Sequence, residues 1–186
     1  NTFMLSESLL LKTIYNLTDL NYVGFCHAFK TNKFISNFTI NKKHQKLFQS
    51  IVTQNSETLY SLKKLKQSWH RIGAFQTRNI PHSGHEKIIQ RMLLDCDHLV
   101  INPVIGPKKI GDVNIDSLRM IYDFLIKYKY QKRVSFQPIF ANMFYAGPRE
   151  AVHHALLRKR LGFDLFSVGR DHAGAEGAYP PEAAPN

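Results

Sequence analysis

Two histidines with a glycine between them stand where an apolar segment gives way to a helical pattern, in the run His82-Ser83-Gly84-His85. Side chains three residues apart lie on one side of a helix, about one turn apart. The first turn of a helix carries unpaired N–H groups that attract anions, and Gly84 allows a ligand close to the backbone. Imidazoles at such a place can donate hydrogen bonds to phosphate oxygens as charge builds in a transition state.

The residues before this pair add further groups that could bind an anion. Arg78 can hold an oxyanion with two parallel N–H bonds, while Gln76 and Asn79 supply neutral donors. Zinc binding by His82 and His85 is disfavoured, because no third ligand lies nearby in the sequence. A purely structural role for both histidines remains the alternative to phosphate chemistry.

A second polar run near the end of the chain reads Gly169-Arg170-Asp171-His172-Ala173-Gly174. It follows directly on an apolar segment, and its two glycines suit a backbone that must approach a nucleotide closely. A polar turn would account for the glycines and the aspartate but not for the whole run. The two runs together therefore indicate nucleotide chemistry more strongly than either does alone.

Alternating strands and helices would bring these runs together. Apolar segments predict four strands, at residues 71–76, 98–105, 134–140 and 164–168, with helical patterns between them. This alternation predicts an α/β fold with a doubly wound parallel sheet. Ligands of such sheets bind beyond the carboxyl ends of the strands, so the loops after strands one, three and four should line one crevice. In the loop after strand three, Gly147–Ala151, Arg149 either faces the crevice or serves the start of a helix.

Helical periodicity also predicts which side chains face the core. A helix over residues 56–69 should bury its leucines, and Cys96 should be a core or near-surface filler residue. One of His153 and His154 should be packed rather than catalytic. The other inward positions predicted are Ile88, Ile89, Met92 and Leu93 in the first crossover helix, Leu118, Ile121, Leu125 and Tyr128 in the second, and Val152, Ala155 and Leu156 in the third.

The amino-acid composition excludes several classes of protein. The 186 residues include 44% hydrophobic and 12% aromatic side chains, enough for a core, and no apolar run has the length of a membrane span. Two cysteines cannot build a disulfide framework, which favours a cytoplasmic location. The formal net charge of +11 suits anionic partners. Because no nucleic-acid-binding motif accompanies it, a solvated lysine-rich surface is favoured over a nucleic-acid site.

Four blocks of sequence together resemble one enzyme family. His82-Ser83-Gly84-His85 looks like the HxGH signature of the nucleotidylyltransferase superfamily. More specifically, the segments 75–85, 102–112, 145–151 and 168–174 are similar, in order and spacing, to those of the ATP sulfurylases (sulfate adenylyltransferases). Two positions depart from the family pattern: Ile80-Pro81 stands where proline usually follows the asparagine directly, and Ser83 replaces a larger or basic residue.

The resemblance implies a Rossmann-like nucleotidylyltransferase domain and a set of residue roles. Sulfate would be held by Gln76, Arg78 and the backbone N–H of Ala173. Thr77, Arg78 and Asn79 would form the catalytic loop, with His82 and His85 on the ATP phosphates. The full ATP-binding set would be Gln76, Thr77, Arg78, Asn79, His82, His85, Gly169, Arg170, Asp171 and His172.

The same resemblance implies partners and domains. The substrates and products would be ATP, sulfate, adenosine 5′-phosphosulfate and pyrophosphate, with Mg²⁺ carried by ATP and no protein-bound metal. Neither nucleic acid nor a membrane is an expected partner, whereas a homo-oligomer is a state found among family members. Residues 1–70 would be a short mixed α+β segment, a remnant of a PUA-like domain plus linker. Residues 71–186 would be the catalytic domain, incomplete at its C-terminal end. The alternatives are an ATP-binding relative without turnover, or an adenylyltransferase for another oxyanion or phosphate acceptor.

Overall fold

The computed structural model describes residues 56–106, 112–141, 143–174, 179–180 and 182–185. Of the mixed α+β segment expected over residues 1–70, residues 1–55 lie outside these ranges. In chain order the elements are α1 (residues 56–68), β1 (Ile72–Phe75), α2 (Ser83–Asp95), β2 (His98–Ile101), β3 (Val104–Ile105), α3 (Ile115–Leu125), a π-helical turn (Ile126–Tyr130), a 3-10 turn (Gln131–Arg133), β4 (Val134–Phe136), β5 (Ile139–Phe140), α4 (Pro148–Leu161) and β6 (Leu165–Phe166).

The main sheet has four strands in the order β4-β2-β1-β6, and all three pairings are parallel. Chain order therefore runs outward from β1 to β2 and β4, and then returns to the other side of β1 with β6. This reversal creates a switch point between β1 and β6, where the two neighbouring loops leave the sheet in opposite directions. The predicted α/β fold with a parallel, Rossmann-like sheet is confirmed.

Helices cover both faces of the sheet because successive side chains of each strand point to opposite sides. On one face α2 and α3 pack against strand residues such as Phe75, Leu99 and Phe136. On the other face Leu62 of α1 packs with Ile72, and Phe163, just after α4, belongs to the same cluster. The helix expected over residues 56–69 is confirmed over 56–68 as part of the sheet's cover, with Leu62 buried and Leu65 partly buried, whereas Leu59, also expected inside, is 36% exposed. No helix within the described ranges is long and apolar enough to cross a membrane.

The strand predicted for residues 98–105 is interrupted at Asn102 and Pro103. Its continuation, β3, pairs with β5, and both β2 with β4 and β3 with β5 join residues 35 positions apart, as in Leu99 with Val134 and Val104 with Ile139. The register therefore continues across the gap. At that same offset Pro103 faces Pro138, and neither proline has an N–H to donate to the ladder. The Asn102 side-chain amide donates instead to the Gln137 carbonyl, at 2.6 Å.

Helix α4 buries a different face from the predicted one. Val152 and Leu156, expected inside, are 60% and 54% exposed. The buried positions are Glu150, Ala151, His154 and Arg158. Glutamate, histidine and arginine four residues apart share one side of a helix, and specific hydrogen bonds outweigh the hydrophobic pattern there. On α3, Leu118 is buried as predicted, and so is Tyr122, which was not predicted. Tyr128, predicted to face the core, is 66% exposed because it lies in the π-helical turn after α3, where the helical phase has changed.

Candidate active site

A cleft of about 540 Å³ opens at the carboxyl ends of β1 and β6, the switch point of the sheet. Its walls are the segment after β1 and the segment after β6, joined by side chains from near β3 and β5. This is the place where ligands of doubly wound sheets bind. The topology therefore brings together two polar runs that lie about 90 positions apart in the sequence.

Every residue to which the sequence analysis gave a catalytic or binding role lines this cleft. These residues are Gln76, Thr77, Arg78, Asn79, His82, His85, Gly169, Arg170, Asp171, His172 and Ala173. The lining is completed by Gly84, which was expected to allow a ligand close to the backbone, and by residues with no predicted role at the site: Phe75, Ile88, Val104, Asp112, Met143, Ser167 and Val168. Most of this second group is apolar, which suits the face of a base or sugar. Most of the apolar members belong to patterns that predicted only core strands and helices, so the sequence did not distinguish them from ordinary core residues.

His82 is the N-cap of α2, and this role fixes the orientation of its ring. Its Nδ1 accepts the Gly84 N–H at 3.1 Å. A ring nitrogen that accepts a hydrogen bond carries no proton, so in the neutral imidazole the proton lies on Nε2. Gly84 is needed for this cap, since a Cβ there would lie 2.9 Å from the His82 ring. The glycine thus serves the histidine directly, whereas the sequence suggested only close approach of a ligand.

His85 stacks on His82, with ring centroids 3.9 Å apart. Burial lowers the pKa of His85, and the neighbouring His82 lowers it further, while the Ile80 carbonyl acts in the opposite direction. The first member of the pair is therefore a cap with an outward Nε2–H, and the second is a half-buried neutral ring. The pair can donate to a phosphate without both rings carrying charge beforehand.

Arg78 is held at the cleft without having all its donors satisfied. Its NH1 lies 3.7 Å from Asp112 Oδ1, and its guanidinium carbon lies 5.7 Å from the centre of the Tyr145 ring. The Tyr145 hydroxyl donates to Asp112 Oδ2 at 3.2 Å, which links the two anchors. Among the described residues, Arg78 NH1, Gln76 Oε1 and His85 Nδ1 are buried without a hydrogen-bond partner. Buried polar atoms left unpaired cost free energy, so this group favours a polar ligand.

The backbone of the second run is unusual. Asp171 and Ala173 both have a φ of +51°, in the left-handed region. A Cβ on Gly174 would lie 1.7 Å from Asp171 Oδ1, whereas one on Gly169 would meet nothing within 4 Å. The two glycines therefore serve different purposes. At Gly174 a side chain would clash with Asp171 of the same loop, whereas Gly169 leaves space beside the cleft.

Behind this loop lies a group of buried polar side chains. His172 Nε2 lies 3.2 Å from His154 Nδ1, and His154 Nε2 lies 3.4 Å from Glu150 Oε1. Arg158 donates to the side chain and carbonyl of Asn102 at 2.9 and 3.1 Å. The expectation that one of the two adjacent histidines is packed is confirmed, since His154 is fully buried and His153 is exposed. The i, i+4, i+8 spacing of Glu150, His154 and Arg158 was the available signal for the rest.

Burial dominates the titration of these groups. It raises the pKa of Glu150 to about 7, against the lowering effect of the backbone N–H groups of residues 144–146. It lowers the pKa of His154 to about 2 and that of His172 to about 4, and the Arg158 charge adds to both effects. Both imidazoles are therefore neutral in the folded protein at pH 7.

We expect this arrangement to make the fold sensitive to acid. Each histidine binds a proton less readily in the native state than in the unfolded chain, so stability falls as pH drops below about 6.5. Glu150 binds a proton more readily in the native state than in the unfolded chain, so its effect on the free energy of unfolding has the opposite sign between about pH 4.5 and 7. It therefore offsets the effect of one histidine. The free energy of unfolding should fall by about 2 kcal/mol or more from pH 6.5 to 4.5, at roughly 1.4 kcal/mol per unit for the remaining group. Urea unfolding at constant ionic strength measures this change, and an unchanged midpoint would contradict it.

The expected position of the loop after the third predicted strand is wrong. The segment Gly147–Ala151 does not line the cleft, because the third main strand, β4, lies at the far edge of the sheet and Glu150 turns into the interior. Arg149 is exposed and outside the cleft lining.

Within the described ranges, no group of three or more His, Cys, Asp or Glu side chains could hold a metal ion. Cys96 is a buried free thiol whose pKa is raised by burial, as expected for a core filler.

Comparison with known proteins gives one family. A family model described as ATP-sulfurylase matches residues 51–186. A sulfate adenylyltransferase of Staphylothermus marinus is 40% identical over 178 residues, covering 93% of this chain and 46% of that protein. One of Ignicoccus hospitalis is 47% identical over 120 residues, covering 64% of this chain and 31% of that protein. One of Pyrococcus abyssi is 36% identical over 174 residues, covering 92% and 45%.

This chain thus spans less than half the length of each of these curated relatives. The match nevertheless includes the whole described sheet and both polar runs that line the cleft. Two of the four blocks that carried the resemblance, residues 75–85 and 168–174, supply most of the residues that line the cleft at the switch point. The chain belongs to the ATP sulfurylase family.

Proposed function

We propose that this chain carries the sulfate adenylyltransferase site, which transfers AMP from ATP to sulfate. The observation that supports this most directly is that Arg78 NH1, 3.7 Å from Asp112 Oδ1, is buried without a hydrogen bond among the described residues, in the same cleft as the His82–His85 pair. A guanidinium matches an oxyanion, and a pair of imidazoles at a helix start matches phosphate oxygens. The names of the matched relatives agree with this chemistry.

In the proposed reaction a sulfate oxygen attacks the α-phosphorus of ATP. The new bond joins this sulfate oxygen to the α-phosphorus, the bond from the α-phosphorus to the oxygen that bridges to the β-phosphorus breaks, and pyrophosphate leaves with that electron pair. Gln76, Arg78 and the Ala173 N–H hold the sulfate in line. Holding two anions together is unfavourable in water, so most of the catalysis consists of positioning and charge stabilisation.

The proposed histidine roles follow from their geometry. His82 directs an Nε2–H away from its cap, so it can donate to an α-phosphate oxygen or to the departing pyrophosphate. His85, stacked 3.9 Å away, adds a second imidazole to the same side. Thr77 and Asn79 form a tight turn, in which the Asn79 N–H donates to the Thr77 hydroxyl at 3.2 Å. That turn holds the backbone on either side of Arg78.

The remaining roles concern the nucleotide and its surroundings. Gly169, Arg170, Asp171 and His172 would seat the adenosine portion. The polar lining is rich in N–H donors rather than carboxylates, so Mg²⁺ would enter on the triphosphate and neutralise its charge there. Residues 71–186 would form the catalytic domain, with α1 packed on its sheet. A cytoplasmic location would give access to ATP. A homo-oligomeric state stays a prediction.

The reverse reaction provides the most sensitive test. The purified chain is mixed with adenosine 5′-phosphosulfate, pyrophosphate and Mg²⁺, and newly formed ATP is detected with luciferase. We expect ATP well above the level given by an Arg78→Ala control. A folded chain that binds ATP but forms none would support the relative without turnover. ATP formation with another oxyanion, but not with sulfate, would change the acceptor.

A further inference from the structure

The buried carboxyl group of Glu150 is arranged as an acceptor on both oxygens. Its Oε1 receives the Phe144 N–H and its Oε2 receives the Ala146 N–H, each at 2.9 Å. A proton on either oxygen would have to share that site with an N–H donor. Glu150 also belongs to the first turn of α4, where the helix dipole favours negative charge. The backbone around Glu150 therefore stabilises the carboxylate form.

The carboxylate determines which nitrogen of His154 carries the proton. His154 Nε2 lies 3.4 Å from Glu150 Oε1, without a hydrogen bond between them but within reach of the carboxylate charge. A lone pair on Nε2 would face negative charge, whereas an N–H would be attracted by it. A neutral imidazole has one proton. His154 Nδ1 is therefore the acceptor, and the group opposite it must donate.

The group opposite is His172 Nε2, at 3.2 Å. Since His172 is also neutral, a proton on Nε2 leaves its Nδ1 with a free lone pair. The ring is held from a second side, where Phe166 meets it edge to face with centroids 5.7 Å apart. His172 lines the cleft, and the contact with His154 is the hydrogen bond that the described residues give it.

We propose that Glu150 and His154 fix the tautomer of His172 so that its Nδ1 is a hydrogen-bond acceptor in the cleft, and that this atom recognises a donor on the nucleoside portion of the ligand. A ribose hydroxyl and the amino group of adenine are such donors. Sulfate and the ionised phosphates of ATP have only acceptors. The identity of the ligand as a nucleotide rests on the proposed function, whereas the tautomer does not.

The cleft then contains two histidines with opposite hydrogen-bonding roles, one a donor and the other an acceptor. His82 presents an Nε2–H, because its Nδ1 accepts from Gly84, and His172 presents a lone pair. The donor suits the phosphate end of a nucleotide and the acceptor suits the nucleoside end. Their separate positions, one after β1 and one after β6, would then orient the ligand across the switch point.

Nuclear magnetic resonance of the whole chain with ¹⁵N-labelled histidine tests the tautomer without any ligand. Spectra are recorded near pH 8, above the pKa of about 7 of Glu150. His172 is assigned by the signal that disappears in His172→Gln. We expect its Nε2 to be protonated and its Nδ1 unprotonated. A proton on Nδ1 in the unaltered chain would overturn the proposal.

Variants of the two adjacent histidines separate a positioning role from general packing. His154→Asn places an amide oxygen near the position of Nδ1 and should preserve the His172 tautomer. His154→Leu removes the acceptor, and the His172 proton should redistribute between its two nitrogens. His153→Gln is the matched control on the exposed face of α4 and should change nothing. If His154→Leu leaves the spectrum of His172 unchanged, His154 does not set the tautomer.

Binding of nucleotide analogues tests recognition. Calorimetry compares ATP with 2′-deoxy-ATP, 3′-deoxy-ATP and N6,N6-dimethyl-ATP, each of which lacks one donor. In the unaltered chain one analogue should bind about tenfold more weakly, because a buried acceptor loses its partner. In His172→Leu that analogue should bind as ATP does. Equal binding of all four by the unaltered chain would overturn the recognition role. Failure of ATP itself to bind would overturn the nucleotide assignment and the proposed function together, with the tautomer result unaffected.

Discussion

Replacing Arg78 with alanine should lower sulfate-dependent turnover by roughly 10³-fold or more, because charge-assisted donors to the attacking anion are lost. The affinity for ATP should change by no more than about threefold, since His82 and the second polar run remain. The geometry supports this division. NH1 of Arg78 is buried and free of hydrogen bonds among the described residues, while its 3.7 Å contact with Asp112 and the Tyr145 ring hold the guanidinium at the cleft. Initial rates of ATP formation from adenosine 5′-phosphosulfate, together with calorimetry of ATP, measure both quantities.

Two further variants make the Arg78 result specific. Arg160→Ala removes the same charge from an exposed position of α4 and should leave both quantities unchanged. Arg78→Lys keeps the charge but loses the planar pair of donors, so its turnover should lie between those of the alanine variant and the unaltered chain. Equal losses of turnover and ATP affinity in Arg78→Ala would show that Arg78 binds the nucleotide rather than sulfate.

The second large effect is expected at His82. Without its Nε2–H, turnover should fall about 10²- to 10³-fold while ATP affinity falls much less, because the bond strengthens as charge develops in the transition state. The complication is structural, since His82 also caps α2 through Nδ1. Loss of an N-cap costs about 1 kcal/mol of stability. His82→Ala therefore changes the catalysis and the helix together.

His82→Asn separates these two roles. Asparagine is a strong N-cap residue and can accept the Gly84 N–H, but it has no group at the position of Nε2. We expect its unfolding midpoint to stay close to that of the unaltered chain, with the same loss of turnover as in the alanine variant. A His82→Asn variant with normal kcat would remove His82 from the mechanism and leave it as a cap.

The site was largely predictable because its residues cluster in two short runs. Residues 76–85 follow β1 directly and residues 169–174 lie a few positions after β6, so recognising two strands was enough to place both runs at one edge of the sheet. The expected residues all line the cleft for this reason. Their proposed roles depend on bound substrates, which sequence and fold do not contain.

The predicted inward positions of α4 were wrong because hydrogen bonding outweighed the hydrophobic pattern there. On α4 the apolar Val152 and Leu156 are exposed, whereas Glu150, His154 and Arg158 are inside. Periodicity assumes that apolar side chains seek the core, and it cannot recognise polar side chains that are satisfied by distant partners. Those partners, among them Asn102 and His172, lie on other elements. The break after β2 has a similar origin, since Pro103 and Pro138 are opposed only once the strands are paired.

The sequence by itself determined the α/β class, the two polar runs, and the family to which the chain belongs, because each depends on local pattern or on short motifs. The tertiary structure decided the order of the strands, and thereby which loops share the cleft. It also decided which nitrogen of His82 faces outward and the chain of contacts from Glu150 to His172. These features depend on pairs of residues far apart in the chain, and a hydrogen bond between such residues exists only after the backbone has brought them within about 3 Å.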